Sequence, residues 1–266
     1  SSAARRSAPA LPRTVVMGYQ DWGDCDVEKT IVAAAQGVNV IMWFAVNLAA
    51  DAGLPQITGG PDPLCVAEVA EELEALNLTT THLLSIGGWD APHPAPRWSG
   101  AQWFDVWRTW NEALPRPYDG FDWDLEGADS KSAPSNNISA ATLGIMVEMS
   151  EAAAAAGVLV TMVPPQSYLD ESTAEFNPSL LNTYADWHPE FAYHGRNCYA
   201  YVLAAAAPST FSLVTVQLYE SWSRADEAML RRPDEAPAYL QALYARLVRG
   251  WTVDFGASLP RARGPT

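Results

Sequence analysis

From residue 119 to residue 126 the chain reads Asp-Gly-Phe-Asp-Trp-Asp-Leu-Glu, and from Phe121 onward large apolar residues and acids alternate strictly. Successive side chains of a β-strand point to opposite faces, so Asp122, Asp124 and Glu126 share one face and Phe121, Trp123 and Leu125 the other. Turning the acids toward a helix layer would strip them of water without compensation. An acidic surface strand would have polar residues, not Phe, Trp and Leu, between its acids. Both faces are satisfied in a barrel, with three acids lining the interior and three large apolar groups packed beneath surrounding helices.

The rest of the chain has the alternation such a barrel needs. Strand-like runs fall at Thr14–Tyr19, Val38–Val46, Thr81–Ile86, Gly120–Glu126, Val158–Val163, Leu213–Tyr219 and Val253–Leu259. Helical patterns separate several of them, at Pro63–Leu76, Gly100–Leu114, Ser139–Ala156 and Ala236–Arg249, and Gly157 and Gly250 stand where left-handed caps would end two of these helices. Trp103, Phe104, Trp107, Trp110 and Leu114 recur at helical steps and read as one face packed on the strands rather than as sugar platforms. Strand–helix repetition without a glycine-rich phosphate turn favours a (β/α)8 TIM barrel over a doubly wound nucleotide-binding sheet. Residues 1–13 are small, polar and Pro-containing and read as a mobile lead-in, leaving residues 14–266 as one domain. Only Pro260–Thr266 follows the seventh run, so the eighth strand is expected to be missing from this chain.

Composition narrows the partners. A net charge of -15 is the wrong sign for a nucleic-acid surface, and no apolar run reaches the roughly 18–20 residues that span a bilayer. Cys25, Cys65 and Cys198 have no metal-ligand spacing; one disulfide and one free thiol are compatible with the count, with the pairing open. His82, His93, His188 and His194 form no metal motif, and Ser85 is not in a nucleophile elbow. The sequons at Asn77-Leu78-Thr79 and Asn137-Ile138-Ser139 are compatible with secretion, and a chain beginning with Ser and no signal peptide reads as a mature product or a fragment.

Three like charges on one inward face resist full ionisation, so at least one proton is held near neutral pH. A retained proton is what a general acid needs. Glu126, last in the run, falls nearest the C-terminal mouth, where barrel enzymes place their chemistry.

These residues resemble the fourth-strand signature of glycoside hydrolase family 18, the chitinases and their relatives. Ser85-Ile86-Gly87-Gly88 resembles the family's serine–any–glycine–glycine motif, whose glycines let backbone pass close to the sugar and the catalytic strand. Thr161-Met162-Val163-Pro164-Pro165-Gln166 and Val216-Gln217-Leu218-Tyr219-Glu220 are similar to the ends of its fifth and sixth strands, and Gly18-Tyr19 and Phe44-Ala45 stand where its first two end.

The resemblance implies a retaining, substrate-assisted hydrolase of β-1,4-linked N-acetylglucosamine polymers such as chitin, without metal or organic cofactor. It belongs to the exceptions to two-carboxylate glycosidases. Glu126 would be general acid and then base, Asp124 would hold the acetamido N–H, Asp122 would tune Asp124, and Tyr219 would donate to the acetamido oxygen. Tyr19, Phe44, Gly87, Gly88, Trp89, Met162, Gln166 and Gln217 would line the sugar subsite, with Trp222 a further candidate. Two departures stand out: Glu220 replaces the usual asparagine, and the tryptophan of the family's eighth strand has no counterpart. An endo-β-N-acetylglucosaminidase of N-glycan cores and a non-catalytic chitin-binding lectin or inhibitor share the fold and remain alternatives. The oligomeric state is open.

Overall fold

The structure, a computed structural model, describes residues 10–89, 91–127, 129, 136–180, 197–219, 223–232 and 235–256. In chain order the elements are β1 (Met17–Tyr19), α1 (Val27–Ala35), β2 (Val40–Asp51), β3 (Leu54–Gly59), α2 (Pro63–Ala75), β4 (Thr81–Gly88), α3 (Gly100–Glu112), β5 (Gly120–Leu125), β6 (Asn136–Asn137), α4 (Ala140–Ala155) and β7 (Leu159–Met162). A 3-10 turn (Gln166–Leu169), β8 (Ser179–Leu180), α5 (Cys198–Ala205), β9 (Leu213–Val214), α6 (Arg224–Arg231) and α7 (Ala236–Arg249) follow. The main sheet runs β1-β2-β4-β5-β7-β9 with every neighbouring pair parallel. Helices cover its outer face, so the fold is a (β/α)8-type barrel curled but lacking strands. Among the described residues the sheet ends at β1 and β9 and does not close.

Strand alternation sorts the core into two layers. Outward residues of β5 (Phe121, Trp123 and Leu125) join Trp103, Phe104 and Trp107 of α3 and Met146 and Met149 of α4 in the main cluster. Trp107 meets Phe121 edge-on at 5.1 Å, and the Trp123 indole donates to Ser150 on α4 at 2.8 Å. Ser99 and Gln102 form a reciprocal capping box that starts α3. The inward cluster is smaller: Val40, Met42, Leu83 and Leu159 fill the barrel floor. Leu11, Val15 and Met17 pack against it, so the expected lead-in already contributes to the core at Leu11. A disulfide joins Cys25 to Cys65, tying the loop before α1 to the first turn of α2, and Cys198 is free and buried.

Several elements differ from the sequence expectation. β2 continues to Asp51 and returns as β3 through Ala52 and Gly53, both at positive φ (45° and 86°), a two-residue hairpin without the Asn-Gly pair that signals one. Helices α1 and α5 are short and stood unassigned in the sequence reading. The sixth run forms a ladder only over Leu213–Val214, then makes a single bridge from Gln217 to Pro165. The expected seventh strand does not form over Val253–Gly256, and residues 257–259 lie outside the described residues. Asp254 instead makes one bridge to Glu175, while Phe255 packs on Phe176 and Tyr201 at 5.3 and 5.7 Å.

Gly120 explains how tightly β5 and β7 approach: a Cβ there would sit 2.0 Å from the Leu159 carbonyl oxygen. Gly144, inside α4, has open space around it and no positive φ. We expect Gly120→Ala to cost about 3 kcal/mol or more by forced backbone displacement. Gly144→Ala should instead stabilise by about 0.5–1 kcal/mol through reduced chain entropy. Urea unfolding of the two variants beside the wild type measures both signs.

Candidate active site

The three acids of β5 and the residue after it are all buried, Asp122 at 0%, Asp124 at 5% and Glu126 at 7% exposure. Register places Asp122 beside Ser85 and Thr161, and Asp124 beside Gly87. Gly87 (φ 111°) is compulsory here, since a Cβ would stand 2.7 Å from the Asp124 carbonyl oxygen. Gly88 (φ 108°) admits the Trp22 ring, whose atoms would lie 2.5 Å from a Cβ.

Neutral donors hold the acids. Tyr19 on β1 donates its hydroxyl to Asp122 Oδ2 at 3.2 Å, and Thr161 on β7 donates to Oδ1 at 2.5 Å. The Gln217 amide nitrogen lies 2.7 Å from Asp124 Oδ1, 2.9 Å from Glu126 Oε1 and 2.8 Å from the Val163 carbonyl. Gln217 thus draws the Asp124 and Glu126 carboxyl groups onto one amide nitrogen. Two carboxyl groups drawn this close resist joint ionisation, which favours retention of one proton between them.

Burial pushes Asp122 up to about 7 against the hydrogen bonds from Thr161 and Tyr19, which pull down. Burial likewise raises Glu126, opposed by its bonds to Gln217 and Asp124. Burial, and then the neighbouring carboxyl groups of Asp122 and Asp124, raise the Tyr19 hydroxyl well above its usual range. Such an array can retain a proton at neutral pH and deliver it at the mouth.

Backbone groups around the end of β5 are tied as well. Tyr199 donates to the Leu125 carbonyl at 3.0 Å, the Gly127 amide donates to the Tyr168 hydroxyl at 3.3 Å, and His93 Nε2 lies 2.9 Å from the Glu126 carbonyl.

The rim is aromatic. Trp22 (57% exposed) meets Phe44 edge-on at 4.7 Å, Tyr19 lies 6.5 Å from Phe44, and Trp89 is exposed in the loop after β4. The peptide between Phe44 and Ala45 is cis, where the β2–β4 register shifts.

The structure thus brings Asp122, Asp124, Glu126, Tyr19, Gln217, Gly87 and Gly88 together, with Phe44 beside Tyr19. Three expected residues are placed otherwise. Met162 alternates with Thr161, so it faces the helix layer with Trp123 rather than the interior. Gln166 accepts from the Ala225 amide at 3.0 Å and donates to Tyr239 at 3.1 Å, fastening α6 and α7. Tyr219 is 77% exposed, because β9 ends at Val214 and strand alternation no longer aligns it with buried Gln217. Glu220, Trp222, His188 and His194 lie outside the described residues. His82 accepts from the Trp43 indole at 3.1 Å, and among the described residues no acid, His or Cys cluster suits a metal.

Sequence reading missed Trp22, Thr161, His93, Tyr168 and Tyr199 as parts of this neighbourhood. Thr161 was recoverable from period-2 alternation; the others come from loops and helices with no such signal.

No protein-family model matches the sequence, and no curated protein sequence matches it. A solved family 18 (GH18) chitinase from Pseudoalteromonas aurantia superposes with a TM-score of 0.51 at 13% identity, over 83% of this chain and 74% of that one. The fold is chitinase-like. A chitinase from Chromobacterium violaceum aligns at a TM-score of 0.47 and 14% identity, over 82% of this chain and 65% of that one. The xylanase and alpha-amylase inhibitor protein XAIP-II from Scadoxus multiflorus aligns at 0.43 and 14% identity, over 84% of this chain and 88% of that one.

Asp122 gives a pH prediction independent of any substrate. Its carboxyl keeps a proton in the folded chain up to about 7 and loses it near 3.8 in the unfolded chain, so folding takes up a proton between those values. Stability therefore falls as pH rises through that window, by up to about 1.4 kcal/mol per pH unit for one proton. Asp122→Asn removes this slope, so denaturation midpoints measured at several pH values should show the variant gaining on the wild type as pH rises.

Proposed function

We propose that this chain is a glycoside hydrolase that cleaves β-1,4-linked N-acetylglucosamine polymers with retention, using Glu126 as general acid and then general base. The observation that carries the reading is the pair of carboxyl groups of Asp124 and Glu126, buried at the mouth end of β5 and bridged by Gln217. Glu126 would give its proton to the glycosidic oxygen. Asp124 would turn to the substrate acetamido N–H and steady the positive oxazolinium formed when the acetamido oxygen attacks the anomeric carbon. The glycosidic bond breaks as that C–O bond forms, and water activated by Glu126 then reopens the ring with the configuration retained.

Asp122, whose carboxyl burial pushes up to about 7, can pass its proton to Asp124 during this cycle. Exposed Trp22 and Trp89 are apolar faces on which pyranose rings can stack. The disulfide between Cys25 and Cys65 fits an oxidising, extracellular setting, and no described helix is long and apolar enough to cross a membrane.

A second reading, sugar binding without turnover, is favoured by one observation: the exposed Tyr219 does not share the buried side of Gln217. Hydrolysis of a chromogenic N-acetylchitooligosaccharide by the wild type and by Glu126→Gln separates the two. The variant keeps the shape of the acid but has no transferable proton, so turnover should fall by at least about 1,000-fold with oligosaccharide affinity retained. Absent turnover in both proteins with binding intact would support the lectin reading instead.

A further inference from the structure

His93, buried in the loop after β4, lies between two oxygen atoms. Nδ1 is 2.7 Å from Asp129 Oδ1, and Nε2 is 2.9 Å from the backbone carbonyl oxygen of Glu126. A carbonyl oxygen only accepts hydrogen bonds, and so does an ionised carboxylate. A neutral imidazole has one donor nitrogen and one acceptor nitrogen, so either tautomer of the buried ring would point a lone pair at one of these two oxygens. The imidazolium alone supplies two donors.

Asp129 is set up to be the ionised partner. Burial alone would raise its carboxyl, but bonds from His93 and Ser139 win and hold it below the usual carboxylate range. Its Oδ2 accepts from the Ser139 amide at 3.1 Å and its Oδ1 from the Thr142 hydroxyl at 3.0 Å, at the N-terminal end of α4, where a negative charge is favoured. Among the described residues the remaining titratable neighbours are the Glu126 side chain, whose carboxyl burial raises, and Cys198 on α5, whose thiol burial and Asp129 raise. β5 ends at Leu125, so the Glu126 carbonyl has no ladder partner and takes its bearing from His93.

We propose that His93, as an imidazolium braced by Asp129, is a positioning residue that clamps the backbone of Glu126 and so aims its carboxyl at the scissile bond. This rests on the reading of Glu126 as the general acid. The clamp acts through the main chain and leaves the side chain of Glu126 free to exchange its proton with substrate and water.

A paired substitution tests it. In His93→Gln an amide replaces the ring; its N–H can reach Glu126, but its oxygen then faces the Asp129 carboxylate. kcat should fall about 10- to 100-fold, the scale of a displaced catalytic group, with KM changed by no more than about twofold because the substrate contacts remain. Adding Asp129→Asn lets the new amide at 129 donate to the new amide at 93, restoring an uncharged chain of donors to Glu126. The H93Q/D129N variant should return to within about threefold of wild-type kcat, a coupling that independent space-filling roles would not produce. Wild-type kcat in H93Q, or a double variant no faster than H93Q, overturns the proposal.

Nitrogen-15 shifts of the imidazole in the folded wild-type chain provide a readout that needs no turnover. Both His93 nitrogens should be protonated at the assay pH, and one bare nitrogen overturns the proposal. If the wild type hydrolyses nothing, the reading of Glu126 fails, and the proposal as a positioning device fails with it even where the shifts show an imidazolium.

Discussion

Three carboxyl groups buried on one side of one strand, held by neutral donors, are the constraint to which the rest of the structure answers. Had lysine or arginine met them, ion pairing would have kept them ionised. Tyr19, Thr161 and Gln217 instead offer hydrogen bonds without charge, and burial then favours the protonated forms. The same strand presents Phe121, Trp123 and Leu125 outward to a helix layer rich in tryptophan, so the apolar face anchors what the polar face strains. Gly87 and Gly120 let β4 and β7 come close enough to keep the acids aligned.

The donors arrive from far along the chain. Tyr19 and Asp122 are 103 residues apart, and Gln217 and Asp124 are 93 apart. That distance decides what was legible in the sequence. The inward face of β5 and the need for paired glycines could be read from residues 119–126 and 85–88, because period-2 alternation is local. Which neutral group would meet which acid could not, since it depends on the register between strands. Thr161 reaches Asp122 and its neighbour Met162 joins the outer core, a one-residue difference with opposite consequences. Gln166 and Tyr219 diverged from expectation for a related reason: both follow the ends of short strands, where alternation no longer governs direction. The β2–β3 hairpin escaped notice because Ala52 and Gly53 provide its turn without a sequence signature.

The unclosed sheet raises the question of what steadies the site on its β9 side. Part of the answer is the segment after β7. Asp170 and Glu171, whose side chains are almost wholly buried, pair with Arg224 of α6 at 3.7 Å and Arg246 of α7 at 2.8 Å. Gln166 adds bonds to both helices. Buried ion pairs of this kind contribute little net stability but resist rearrangement, because breaking one strands a charge. The backbone of Gln166 also bonds to Gln217, donating to its carbonyl at 3.1 Å, so the residue bridging the acid pair is held through the same segment as the last two helices.

In the proposed mechanism Glu126, paired with Asp124, works together with the substrate's own acetamido group. The most direct test is proton NMR of the first products from N-acetylchitotetraose beside the same oligosaccharide stripped of its acetyl groups. If Glu126 and the acetamido group act together, the acetylated substrate yields the β-anomer before mutarotation, while the deacetylated one is left intact. An initial α-anomer, or cleavage of both substrates at similar rates, would contradict it.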